Sequence, residues 1–103
     1  MSHTALFIRH KTRPGKRDEV QAVWLEHMAP AIAANAGHIN YFYCFDDADP
    51  DAICAFQHYA SPDAAQAFLA QPSYAAYLKA VEPLLANPPE VSQLTPMWVK
   101  EPG

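Results

Sequence analysis

A chain of 103 residues can bury one core and is too small for two, so a single domain over residues 1–103 is expected. Half of the residues are hydrophobic and 17% are charged, which excludes a disordered chain, and a net charge of -4 disfavours nonspecific attraction to nucleic acid. No apolar stretch reaches the roughly 20 residues needed to cross a bilayer, and "MSHTALFIRH" lacks the apolar core and cleavage site of a secretory signal, so a cytoplasmic location and no membrane partner are expected.

In chain order, "TALFIRHK" is short and rich in strand formers, and "RPGKRDE" after it supplies a turn followed by acids suited to the first turn of a helix. Five of the seven basic residues crowd into this region (Arg9, Lys11, Arg13, Lys16, Arg17). Asp18 and Glu19 dilute them, which favours a solvated turn over a phosphate-binding patch. From Lys16 to about Asn35 the apolar residues Val20, Val23, Trp24, Met28 and Ile32 recur at spacings of three and four, the period of a helix with one buried face. Pro30 is expected to kink or end that helix, and Gly37 to supply a left-handed stop after it.

"HINYFYCF" reads as a second strand, and "AICAFQHY", beyond the turn cluster "DDADPD", as a third. Pairing Cys44 with Cys54 places Phe42 opposite Phe56, Asn40 opposite His58, Tyr41 opposite Gln57 and Ile39 opposite Tyr59. Both cysteines lie in apolar runs and are expected to be reduced, buried hydrophobes. "SPDAAQAFL" opens a helix with Ser61 as cap, Pro62 at the first position and Asp63 in the first turn. Pro72 divides it from a second helical piece carrying Tyr74, Tyr77, Leu78, Val81 and Leu85, and "VSQLTPMWV" forms a last strand whose Pro96 sits at an edge or bulge.

The order β, α, β, β, α in two pieces, β predicts an α+β fold: a ferredoxin-like βαββαβ antiparallel sheet with its helices on one face. In the second strand Ile39, Tyr41, Tyr43 and Phe45 share one side, and Phe42 and Cys44 share the other with His38 and Asn40. Both sides carry apolar residues, yet helices protect only one. A second copy stacked on the open face would bury the rest, so a homodimer through the sheet face is expected.

Three glycines (Gly15, Gly37, Gly103) cannot build a dinucleotide fingerprint or a phosphate-cradling loop. The acidic turn resembles a calcium loop starting at Asp47, but Ala52 and His58 replace its glycine and its bidentate glutamate. None of the five histidines (His3, His10, His27, His38, His58) makes a zinc-binding spacing, so no metal site and no resident cofactor are expected. His27, near the buried face of the first helix, and His58, close to Asn40, are the acid or base candidates. Trp24, Tyr59 and Tyr74 could line an apolar cleft for a small aromatic ligand, or simply fill a core.

With "RPGKRDEV", "NAGHINYFY", "FQHYASPDAAQAFLAQPSYAAYL" and the closing "MWV", nearly the whole chain resembles the antibiotic biosynthesis monooxygenase family of dimeric α+β barrels. The resemblance implies a ferredoxin-like protomer, a face-to-face dimer and oxygenation of polycyclic phenols or quinols without metal or flavin. The family commonly shows glutamate, tryptophan and a helix histidine where this chain has Gln57, Tyr59 and Phe68. A haem-degrading branch needs asparagine, tryptophan and histidine at positions that align with Ile8, Phe68 and Leu78, so the resemblance does not extend to haem chemistry.

In the resulting expectation His58 or His27 acts as base, Asn40 and Tyr59 donate hydrogen bonds to the oxyanion, and Trp24, Tyr74, Phe68 and Gln57 bind substrate. The substrate itself is the reductant. The competing expectation is a non-catalytic, ligand-binding or stress-related barrel, or an oxygen-independent isomerase.

Overall fold

The computed structural model describes residues 3–100. Residues 1, 2 and 101–103 of the expected domain lie outside the described residues. The elements follow in the order β1 (Thr4–Lys11), α1 (Arg17–His27), α2 (Ala29–Ala33), β2 (His38–Phe45), β3 (Ala52–Tyr59), α3 (Pro62–Leu69), α4 (Pro72–Val81), a 3-10 turn at Glu82–Leu84, and β4 (Glu90–Leu94). The sheet is antiparallel with strand order β2-β3-β1-β4, and the helices cover one face, giving a ferredoxin-like α+β fold.

Alternation along β1 drives this packing, because Leu6 and Ile8 point under the helices while Phe7 and Arg9 point away. Val20 from α1 and Val81 from α4 are fully buried above the sheet with Met28, Ile53, Phe68, Tyr59 and Tyr77. The long helix breaks at Met28, two residues before the proline: Pro30 has no N–H to donate, and its ring crowds the carbonyl one turn back. At α3 the Ser61 hydroxyl accepts from the Ala64 N–H at 3.1 Å with Pro62 at the first helical position, as its sequence dictates.

Gly37 does not take the left-handed conformation expected of it; among the described residues the positive φ belongs to Gly15, at 76°. Gly37 instead permits close approach, since a Cβ there would lie 3.1 Å from the Ala64 Cβ on α3. The β2–β3 register runs as expected through Cys44–Cys54, Phe42–Phe56, Tyr41–Gln57 and Asn40–His58. It then shifts, so that His38 rather than Ile39 faces Tyr59. This irregularity adds a residue to β2 and turns the His38 ring toward the helices, reversing its expected side.

The basic residues around the first turn are largely spent inside the fold. Arg17 donates to the carbonyls of Asp46, Asp49 and Ala52 and lies 4.0 Å from the centre of the Phe45 ring. Arg9 pairs with Asp46 at 3.1 Å, and Lys11 pairs with Asp49. These partners hold both carboxyls below their ordinary range, Asp46 first through the Ala48 N–H and Asp49 first through Lys11. The acidic run is thus a clamped turn.

On the uncovered face Phe42 is 57% and Phe56 40% exposed in the single chain. Cys44, expected to be buried, is also exposed; both cysteines are free thiols. The last strand stops at Leu94, short of Pro96, and Trp98 beyond it is 81% exposed. Among the described residues no helix is long and apolar enough to cross a membrane.

Candidate active site

Between the helices and the sheet lies a cavity to which β1 contributes Ile8 and His10, β2 Tyr41 and Tyr43, β3 Gln57, α1 Trp24, α3 Phe68, and α4 Tyr74 and Tyr77. It leaves about 20 Å³ open to the centres of water-sized molecules, enough for one or two waters. An aromatic ring enters only when lining side chains move.

Its walls are ordered by aromatic contacts. Trp24 stacks on Tyr43 with ring centres 4.2 Å apart, and its indole N–H donates to the Tyr41 hydroxyl at 3.3 Å. Burial pushes the Tyr41 hydroxyl up to about 12 and raises Tyr43, Tyr74 and Tyr77 as well, so these phenols are neutral donors at ordinary pH.

Behind the wall runs a satisfied polar chain. The Gly37 N–H donates to Asn35 Oδ1, which orients the Asn35 amide to donate to His38 Nδ1 at 2.8 Å. His38 Nε2 then faces Gln57 Oε1 at 3.5 Å, and the same oxygen accepts from the Tyr59 hydroxyl. Burial lowers the pKa of His38, opposed by its contact with Gln57. Both of its nitrogens are engaged, so His38 acts as structural support.

The residues predicted to form one site are divided by the sheet. Trp24, Tyr74, Phe68 and Gln57 line the cavity, with Tyr59 directly behind Gln57. Asn40 and His58 stand on the opposite face, in a depression shared with Phe42, Phe56, Leu94 and Trp98. There His58 Nε2 lies 2.9 Å from His3 Nδ1, and burial, followed by the neighbouring imidazole, lowers its pKa. His27 sits on the outer flank of α1, 3.4 Å from Glu26, and lines neither region. The expected grouping of His58, Asn40 and Tyr59 fails because neighbours along a strand point to opposite faces: Tyr59 turns inward and His58 outward.

His10 is the imidazole that lines the cavity, only 5% exposed, and burial drives its pKa down to about 4. In the sequence it is one of five histidines, and no spacing marks it out. The signal was its phase, since His10 continues the inward row of Leu6 and Ile8. Among the described residues no group of three or more His, Cys, Asp or Glu side chains is placed to hold a metal ion.

This geometry defines a small ferredoxin-like domain with an aromatic-walled cavity between its helices and its sheet. The family model described as antibiotic biosynthesis monooxygenase matches residues 5–80, and the chain belongs to that family. Among solved structures, Rv0793 from Mycobacterium tuberculosis is 27% identical with a TM-score of 0.85, the match covering 97% of this chain and 100% of that one. A provisionally named antibiotic biosynthesis monooxygenase from Chloroflexus aurantiacus J-10-fl is also 27% identical, with a TM-score of 0.80 and coverage of 99% and 100%. A single-residue variant of SnoaB, a cofactor-independent oxygenase from Streptomyces nogalater, shares the fold at 17% identity and a TM-score of 0.81, over 96% of this chain and 97% of that one. No curated protein matches the chain.

Proposed function

We propose that this protein is a cytoplasmic monooxygenase that oxygenates a small phenolic or quinol-type aromatic without metal or flavin. The observation that carries this reading is the cavity, in which aromatic walls surround the inward polar groups of His10 and Tyr43. Family membership supports it. Dioxygen reacts slowly with closed-shell molecules, so without a cofactor the substrate must supply the electrons. In the keto tautomer of such a phenol, as in an anthrone, an activated ring CH2 loses a proton, the carbanion adds dioxygen, the peroxide anion regains the proton as a hydroperoxide, and loss of water leaves a carbonyl. One oxygen atom enters the product, the other leaves as water, and the substrate provides all four electrons.

The test is oxygen consumption by metal-stripped protein supplied with an anthrone. Uptake above the buffer rate, one dioxygen per carbonyl formed, is the expected result. Tight binding with no uptake would instead support the non-catalytic binder. A base at His58 or His27 would make its glutamine variant inactive; with both outside the cavity, His58→Gln and His27→Gln are expected to retain uptake.

The functional unit is a homodimer closed through the uncovered sheet face. Phe42, Phe56 and Leu94 expose apolar side chains together there, and a clustered apolar patch on a sheet face is the kind of surface that a partner covers. Light scattering at micromolar concentration is expected to give twice the 11.4 kDa chain mass. The double variant Phe42→Asp with Phe56→Asp should give the single mass. A single-chain mass for the unaltered protein rejects the dimer.

A further inference from the structure

We propose that His10 and Tyr43 form an oxyanion-binding pair: the Nδ1–H of a neutral His10 and the Tyr43 hydroxyl both donate to one phenolate or enolate oxygen of the substrate. Tyr77 sets the tautomer that makes His10 a donor. This deepens the reading of the cavity as the substrate site and rests on it.

The tautomer follows from hydrogen-bond bookkeeping. His10 Nε2 lies 2.8 Å from the Tyr77 hydroxyl, and Tyr77 is 2% exposed. A buried phenol proton has to be donated, and among the described residues His10 Nε2 is the acceptor within reach of this one. The nitrogen that accepts carries no proton, so in the neutral ring the proton sits on Nδ1. That Nδ1 is buried and has no partner among the described residues, and the same holds for the Tyr43 hydroxyl. Both residues line the one cavity.

Part of the remaining polar surface of the wall is engaged within the wall itself. Trp24 gives its N–H to Tyr41, and Gln57 Oε1 accepts from Tyr59. The His10 Nδ1 and the Tyr43 hydroxyl are the buried polar atoms of the wall that have no partner among the described residues, and two such donors in an apolar enclosure favour an oxygen carrying negative charge over a neutral one. Its electrostatics agree. Among the described lining residues there is no carboxylate, lysine or arginine, and the remaining titratable groups facing the cavity are Tyr41 from β2 and Tyr74 and Tyr77 from α4. Burial holds these phenols neutral and holds His10 uncharged at pH 7.

Long-range 1H–15N correlation on labelled protein at pH 7 reads the tautomer directly. Nδ1 protonated and Nε2 bare is expected, with Tyr77→Phe releasing that preference; Nε2 protonated in the unaltered protein overturns the assignment. 4-Nitrophenol then tests the pair, because its absorbance reports its ionisation. Bound probe is expected to ionise at lower pH than free probe. Tyr43→Phe, which retains the ring stacked on Trp24, and His10→Phe should each cut the preference for phenolate over phenol about tenfold. A probe bound as neutral phenol, an unchanged preference in both variants, or no binding overturns the pair. Oxygen uptake without phenolate preference rejects the pair and leaves the oxygenase standing; phenolate preference without uptake does the reverse.

Discussion

Phe68→Ala is expected to lower the stability of the folded chain by about 3–5 kcal/mol. Phe68 is 1% exposed and among the largest fully buried side chains. It projects from α3 edge-on to His38, with ring centres 4.5 Å apart at 82°, and lies 6.3 Å from Tyr59. Truncation removes the transfer free energy of the ring and also leaves a hole that helices pinned to the sheet cannot close. That hole opens into the existing cavity, which Phe68 lines. Urea unfolding should show a lower midpoint with an unchanged slope. Phe68→Leu, which conserves most of the volume, should cost less than about 1.5 kcal/mol. Equal losses for the two variants would mean that the ring is not wedged between α3 and the sheet.

Acid is expected to destabilise the protein in two separate windows, the upper one set largely by His10. Its pKa is about 4 in the fold against an ordinary value of 6.5, so between those values the unfolded chain holds a proton that the native chain refuses. Stability therefore rises with pH across this window; it is complete above 6.5 and lost as pH falls through 4. The loss approaches about 3 kcal/mol. His38 and His58, also lowered mainly by burial, act in the same direction. Asp46 and Asp49 act lower down: their carboxyls are depressed by the turn's own N–H groups and by Arg9 and Lys11, so their contribution fades only as pH drops below the ordinary carboxylate value. Urea midpoints at pH 7, 5.5 and 4.5 resolve the upper window. The pair His10→Phe with Tyr77→Phe, which removes the imidazole without stranding the phenol proton, should flatten the curve there. An unaltered slope in that pair would show that His10 accepts its proton without penalty.

The contrast between Tyr59 and His58 shows where sequence and site part company. They are adjacent residues of one correctly expected strand, in which His58 faces Asn40 as expected while Tyr59 faces His38 in place of Ile39. Residue type nominated both for the same chemistry, but the pleat puts them on opposite sides of the sheet. The expected pairing of His58 with Asn40 and of Tyr59 with Ile39 already divides the two between faces, and grouping them by residue type overrides that division. Applied to β1, the same alternation would have singled out His10, in phase with Leu6 and Ile8.

Sequence alone determined the elements and their order, because these depend on neighbours: the alternation in "TALFIRHK", the Ser61–Pro62 start of α3, the break at Pro30, and the clustered aspartates between β2 and β3. It also placed helices on one face and left Phe42 and Phe56 on the other, since pattern and element order decide that. The tertiary structure decided the rest. A register shift near Ile39 carried His38 to the helix side, packing against Ala64 explained Gly37, and convergence of three elements brought His10, Tyr43 and Tyr77 together. Such outcomes depend on contacts between residues far apart in the chain, whose geometry no local period encodes.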